Sequence, residues 1–284
     1  MDGSAPAPTG GPTSFLPQGP VGSDGRAIPL SFLVLFAVVV ARGYDSLTAP
    51  QFWAEEGSLY YQFARDHGAL AVLLEPFNGY LQGLSNLAAA AAVALLPVTA
   101  AADSFAFTAL VGTLLSVGIV LTARTPFLPN AADRFLVASG IVAFSIPETF
   151  LNTINLHFVF PVAVWALLGV ARLSSWQIGF LAVAFLQGVT SVFLAPFFVL
   201  KAWLRPTPRA SGVAGLALLA TVIQLWALIA TGFGGDKHFQ LGLLPRFEAV
   251  VVQNAADAFL RFPERAGLPL PEAAVVAAIY LAAT

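Results

Sequence analysis

The sequence predicts an all-α, polytopic transmembrane helix bundle with about seven to nine membrane segments, several of them short. Three observations carry this. Of 284 residues, 58% are apolar and 10% charged, whereas a soluble domain is about a quarter charged. Mean hydropathy is +0.81, so lipid must cover much of the exterior, and buried backbone groups must pair within helices or a closed barrel. The runs at 28–41, 104–123 and 211–231 are continuously apolar, without the alternation of a barrel strand.

The same composition excludes several classes. With no cysteine there is no disulfide, thiolate nucleophile or cysteine-held metal. A net charge of −2 with scattered basic residues gives no nucleic-acid footprint. No glycine-rich dinucleotide or phosphate loop and no Ser-His-Asp signature is present. Arginine outnumbers lysine amid abundant Ala, Gly, Pro and Val, which points to a GC-rich bacterial genome and a multi-pass protein of the bacterial inner membrane.

In chain order, residues 1–26 hold Pro6, Pro8, Pro12, Pro17 and Pro20 and read as a disordered tail. Residues 27–284 form the transmembrane domain. Residues 27–43 read as a retained first helix, and Arg26 at its start favours a cytoplasmic amino terminus. Residues 42–80 then form a long external loop with Asp45, Glu55, Glu56, Asp66 and Glu75 against Arg42 and Arg65. Apolar blocks follow at 81–97, 104–123, 135–147, 158–172, 177–189, 191–203 and 211–231. Several are shorter than the ~20 residues needed to cross ~30 Å of hydrocarbon. Lys201, Arg205 and Arg209 mark a cytoplasmic turn, which places a second external loop at 232–270. Six crossings between 81 and 203, counted from the external loop, put Arg124 and Arg134 outside and Asn155 and His157 inside. One or two short blocks are therefore expected to be half-helices. An apolar run from Ala273 stops at Thr284, which reads as a C-terminally incomplete chain.

Chemistry is expected in the first loop, where Glu55 and Glu56 sit beside Trp53, Tyr60 and Tyr61, with Tyr80 further on. Aromatic faces beside carboxylates suit sugars, and a carboxylate at an apolar boundary suits general-base work. The alternative is an interfacial helix with aromatic residues at the headgroups. Asn152, Asn155 and His157 form a second group, with Glu148, Asn152 and Asn155 on one face if that segment is helical. They either hydrogen-bond between helices or line a wet cavity. Lys237, His238 and Arg246 are cations assigned to the same side, where they either pair with a lipid phosphate or sit in a solvated loop. His67, His157 and His238 lack metal-ligand spacing. A divalent cation on Glu55 or Glu56 stays open, so no cofactor is assigned.

The string FWAEEG at 52–57, with Tyr60, Gly68, PFNGYL at 76–81, NTINLHF at 152–158 and the Val189-Thr190-Ser191 step, resembles the GT-C superfamily of bacterial multi-spanning glycosyltransferases, mannosyltransferase- and arabinosyltransferase-like. The resemblance spans roughly residues 28–205. It implies a GT-C-like bundle, a polyprenyl-phosphate sugar donor, a cell-envelope acceptor, membrane lipid as the other partner, and inverting transfer at the outer face. It also implies a base from the acidic pair, with Glu56 favoured over Glu55. The family pattern more often has Asp as the second acid, so Glu56 reaches one methylene further. A transporter or flippase, or a non-catalytic subunit of polysaccharide assembly, is the rival reading.

Overall fold

The computed structural model describes residues 24–53, 55–143 and 150–231. The remainder of the tail, Glu148, Lys237, His238, Arg246, the loop at 232–270 and the apolar run at 273–284 lie outside the described residues. Within them the fold is all-helical, without a β-strand.

The first helix, α1, is Asp24–Arg42. After it come α2 (Tyr44–Thr48), a π-helical turn (Glu56–Tyr61), α3 (Gln62–His67) and α4 (Ala69–Val72). The apolar blocks become α5 (Gly83–Leu95), α6 (Ala101–Thr122), α7 (Ala131–Ala143), α8 (Leu156–Leu168), α9 (Ser175–Phe185), α10 (Thr190–Leu204) and α11 (Pro208–Ala230). The stretch Val98–Thr122 and helix α11 are long and apolar enough to cross a membrane; the other apolar helices are shorter. Leu219, Val222, Trp226 and Ile229 on α11, and Leu136 and Phe107 elsewhere, are more than half exposed. Such a continuous apolar exterior calls for lipid or a partner rather than water.

Two cores divide the structure. The larger joins α1 with α6 to α11 through Val39, Val117, Leu156, Phe160, Phe185, Phe198 and Ala217. The smaller packs Tyr60, Tyr61, Ala64 and Val72 of the loop against Ala88, Ala89 and Ala92 of α5 and Ala101 and Phe105 at the start of α6. Helix α5 is thus the floor of a loop module. Its principal packing partners are the loop helices and α6, and its 13 residues span only about 20 Å.

Polar side chains sort the helix ends into two groups. Arg134, fully buried at the start of α7, donates to the carbonyls of Leu121, Leu128 and Pro129 and so caps the end of α6. Lys201 Nζ donates to the carbonyls of Leu168 (2.8 Å) and Val170 (2.7 Å), and Arg209 to that of Leu173. Arg124, Arg134, Arg172, Lys201, Arg205 and Arg209, with Asp133, therefore gather at one end of the bundle. At the other end Arg42 donates to Val142 O and lies 4.6 Å from the Phe150 ring centroid. Glu56 meets Thr153 there, and Gly83 N meets Leu186 O. Arg124 and Arg134 share the end of Lys201, and Asn155 and His157 share the end of the acidic loop. An alanine-rich apolar block resembles a span by hydropathy, but α5 buries its small side chains against tyrosines of the loop.

Local signals place the helix ends. Asn130 Oδ1 accepts from Asp133 N ahead of α7, Gln177 Oε1 accepts from Ser174 N at α9, and Thr207 Oγ1 accepts from Ala210 N ahead of α11, where Pro208 takes the first position.

Candidate functional site

The loop is folded rather than a loose connection. Phe52 stacks on Tyr61 at 5.0 Å and meets Phe105 edge-on, while Tyr60 packs on Phe77 at 4.5 Å. Tyr60 is fully buried and Tyr61 nearly so. These rings are core, and Trp53 is half-buried. Asn78 and Gly79 both have positive φ (55° and 94°), and Tyr80 N donates to Phe77 O. An Asn-Gly pair takes this type I′ geometry with least strain. The tight turn sends Phe77 back to Tyr60 and Tyr80 to His157, whose rings are 6.0 Å apart.

The wider π-helical turn puts Glu56, Tyr60 and Tyr61 on one buried face. Glu56 is 1% exposed. Its Oε1 accepts from Thr153 N at 2.8 Å and Thr153 Oγ1 at 2.7 Å, and its Oε2 accepts from Trp53 N at 3.1 Å. Burial pushes the Glu56 carboxyl above its ordinary range, reinforced by the neighbouring Glu55; the Thr153 and Trp53 donors pull it back only in part. Glu55 is half-buried. Burial chiefly, and then the Tyr80, Glu55 and Glu56 charges, raise the Tyr60 hydroxyl. Tyr80 is raised by burial and by Glu55, against the opposing Gln82 amide.

Behind Glu56 lies a buried polar network that joins the start of α5, the turn before α8, the end of α9 and α11. Ser85 Oγ lies 3.0 Å from both Thr153 Oγ1 and Gln82 Oε1. Gln187 Nε2 donates to Thr153 O, and its Oε1 accepts from Leu84 N. Gln82 and Gln187 pair as an isolated bridge. Gln224, deep in α11, holds both backbone groups of Leu81, accepting from its N–H and donating to its carbonyl. Bidentate amides of this kind satisfy backbone groups that no helix supplies. Thr153, Gln82, Ser85, Gln187 and Gln224 were not among the residues singled out from the sequence. Gln187 and Gln224 did give a signal, as lone amides in apolar runs.

The turn at 150–155 corrects the expectation of one helical face. Leu151 has φ +57°, and Asn152 Oδ1 folds back to accept from Ile154 N and Asn155 N. Asn155 sits at the N-cap of α8, and Asn152 is buried in this local turn. The competing side-chain turn displaces the helix that spacing suggests. His157 follows in the first turn of α8, with Nδ1 against Ile154 O. Gly188, at φ +74°, lets the α9–α10 turn approach: an added Cβ would lie 3.0 Å from His157 Cβ and 3.7 Å from Tyr80. Gly188→Ala is expected to lower stability by about 1–2 kcal/mol from the left-handed backbone alone, read as a drop in unfolding midpoint. No change in midpoint would mean that the turn moves freely.

Of the residues expected to act together, the structure brings Glu55, Glu56, Trp53, Tyr60, Tyr80, Asn152, Asn155 and His157 to one end, with His157 beside Tyr80. Among the described residues no group of three or more His, Asp or Glu is placed to hold a metal ion. Three buried hydroxyls at this end, Tyr60 Oη, Thr190 Oγ1 and Ser191 Oγ, have no hydrogen-bond partner among the described residues. Comparison with family models, curated proteins and solved structures gives no match.

Proposed function

We propose that the acidic end is the outward-facing site of a multi-pass membrane glycosyltransferase, which moves a sugar from a polyprenyl-phosphate donor to an acceptor hydroxyl of the bacterial cell envelope. The observation that carries this reading is the meeting of Glu56 with Thr153 in the turn before α8 at one end, while Arg124, Arg134, Arg172, Lys201, Arg205 and Arg209 gather at the other. Basic residues stay on the cytoplasmic side of a membrane. With α5 kept in the loop module, α1 and α6 to α11 alternate in direction, and the acidic end faces outward. The GT-C resemblance of the motifs gives the reaction class.

The geometry divides the acidic pair. Three donors occupy the Glu56 carboxylate and bury it, so its role is to hold the loop on the turn before α8. Glu55 is half-buried and takes the part of base, which the motif resemblance assigned by preference to Glu56. Glu55 accepts the proton of the acceptor hydroxyl as that oxygen bonds to the anomeric carbon. The bond from that carbon to the donor phosphate breaks, and the lipid phosphate leaves with its electron pair. One base suffices, because phosphate needs no protonation to depart. The half-buried His157 supplies a polar contact for the sugar.

The test uses membranes carrying the full chain and a labelled polyprenyl-phosphate sugar. Transfer of label to an envelope acceptor is expected, with loss in Glu55→Gln. Full transfer by a Glu55→Gln, Glu56→Gln double variant would overturn the reading, as would movement of the donor across the bilayer without transfer.

A further inference from the structure

A second site lies at the basic end. A cavity of about 870 Å³ opens between the α8–α9 turn and the α10–α11 turn, and Arg172, Lys201, Arg205 and Arg209 line it. No carboxylate is among its lining residues. Lys201 spends two of its N–H groups on Leu168 O and Val170 O, which leaves one. Arg172 and Arg205 are exposed. The rest of the wall is largely apolar, with Phe127, Leu173, Phe197 and Leu204.

Through Leu200 this cavity adjoins a second, apolar groove of about 430 Å³ between α10 and α11. The groove runs along α10 from Val192 to Trp203 beside Leu218 and Thr221. Twelve residues of helix, each rising ~1.5 Å from the last, make it about 16 Å long. Trp165, Trp176 and Trp203, exposed by 43%, 49% and 77%, lie at the same end, and exposed tryptophans of this kind suit a lipid headgroup interface.

We propose that this composite site binds one anionic phospholipid of the cytoplasmic leaflet, with its phosphate among the four cations and an acyl chain in the α10–α11 groove. Charge complementarity selects the headgroup: cations gathered without an acid attract a phosphodiester through charge-assisted hydrogen bonds, and basic pockets between transmembrane helices on the cytoplasmic side take anionic lipids in this way. The adjoining apolar groove selects a lipid over a free anion. A bound lipid would tie the α8–α9 turn to α10 and α11. The site stands apart from the acidic end and does not depend on the sugar-transfer reading.

The experiment is native mass spectrometry of the full-length protein, released from nanodiscs of equal parts phosphatidylglycerol and phosphatidylcholine. One phosphatidylglycerol is expected to be retained at least tenfold over phosphatidylcholine. Arg172→Gln with Arg205→Gln should reduce that preference at least fivefold, whereas Arg172→Lys with Arg205→Lys should keep most of it, which separates lost charge from misfolding. Leu218→Trp, which fills the groove, should lower retention of both lipids. Equal retention of the two lipids by the parent protein would overturn the proposal, and so would an unchanged preference in the glutamine variant. Complete displacement of the lipid by millimolar inorganic phosphate or glycerol phosphate would also overturn it, because a free anion would then be the ligand.

Discussion

Glu56→Ala is expected to destabilise the protein by about 3–5 kcal/mol, because it strands three donors in a buried site at about 1–3 kcal/mol each, less than additively. Two of these, Thr153 N and Trp53 N, are backbone groups that cannot turn to water without moving the chain. Thr153 also accepts from Gln187 through its carbonyl and contacts Ser85 through its hydroxyl. The loss should therefore spread through the whole acidic end. The pH dependence has a defined sign. Burial raises the folded carboxyl above its unfolded value of 4.5, so its protonated form favours folding. That contribution is present below the unfolded pKa and is lost as pH rises through the folded pKa. In detergent, the stability deficit of Glu56→Gln relative to the parent should be largest at acid pH and shrink as pH rises. A deficit that grows with pH would mean that the three donors outweigh burial.

Glu55→Gln has the opposite profile. Removing a general base costs on the order of 10²–10⁴ in rate, whereas a half-buried polar substitution away from the network should shift stability by no more than about 0.5 kcal/mol. Transfer from the labelled donor should therefore fall at least 100-fold while the unfolding midpoint stays in place. Glu56→Gln should show the converse: a lower midpoint, with residual transfer in the molecules that remain folded. If Glu56→Gln abolishes transfer at an unchanged midpoint and Glu55→Gln does not, the two roles are exchanged.

Much of the architecture was legible because helix positions depend on local apolar composition and its punctuation. Thr207-Pro208 starts α11, Ser174 with Gln177 starts α9, and the apolar blocks recur as α6 to α11 with shifts of a few residues. The acidic module was legible as a unit through its charge and length. Helix α5 was not, since an alanine-rich block has the hydropathy of a span whether its small side chains meet lipid or tyrosines. What separates the cases is Tyr60 and Tyr61, more than twenty residues away in the chain. The site was legible in its residue types but not in its roles. Adjacent glutamates look alike in a sequence, and the π-helical turn that buries one of them depends on Thr153, 97 positions later. Thr153 itself gave no signal, because a threonine in an apolar stretch is ordinary until a carboxylate is found against it. The Asn152 turn illustrates the same limit, since its side chain competes with a helix that spacing alone would draw.

The account rests on one end of the bundle facing out, with α5 on that same side. The chain contains no cysteine, so single cysteines can be placed at will and probed in intact cells with a membrane-impermeant maleimide. Asp66, Thr99, Arg172 and Arg205 are all exposed. Asp66→Cys, before α5, and Thr99→Cys, after it, should both label from outside, while Arg172→Cys and Arg205→Cys label only after permeabilisation. If Asp66→Cys and Thr99→Cys label from opposite sides, α5 crosses the membrane and the outward-facing acidic site is contradicted.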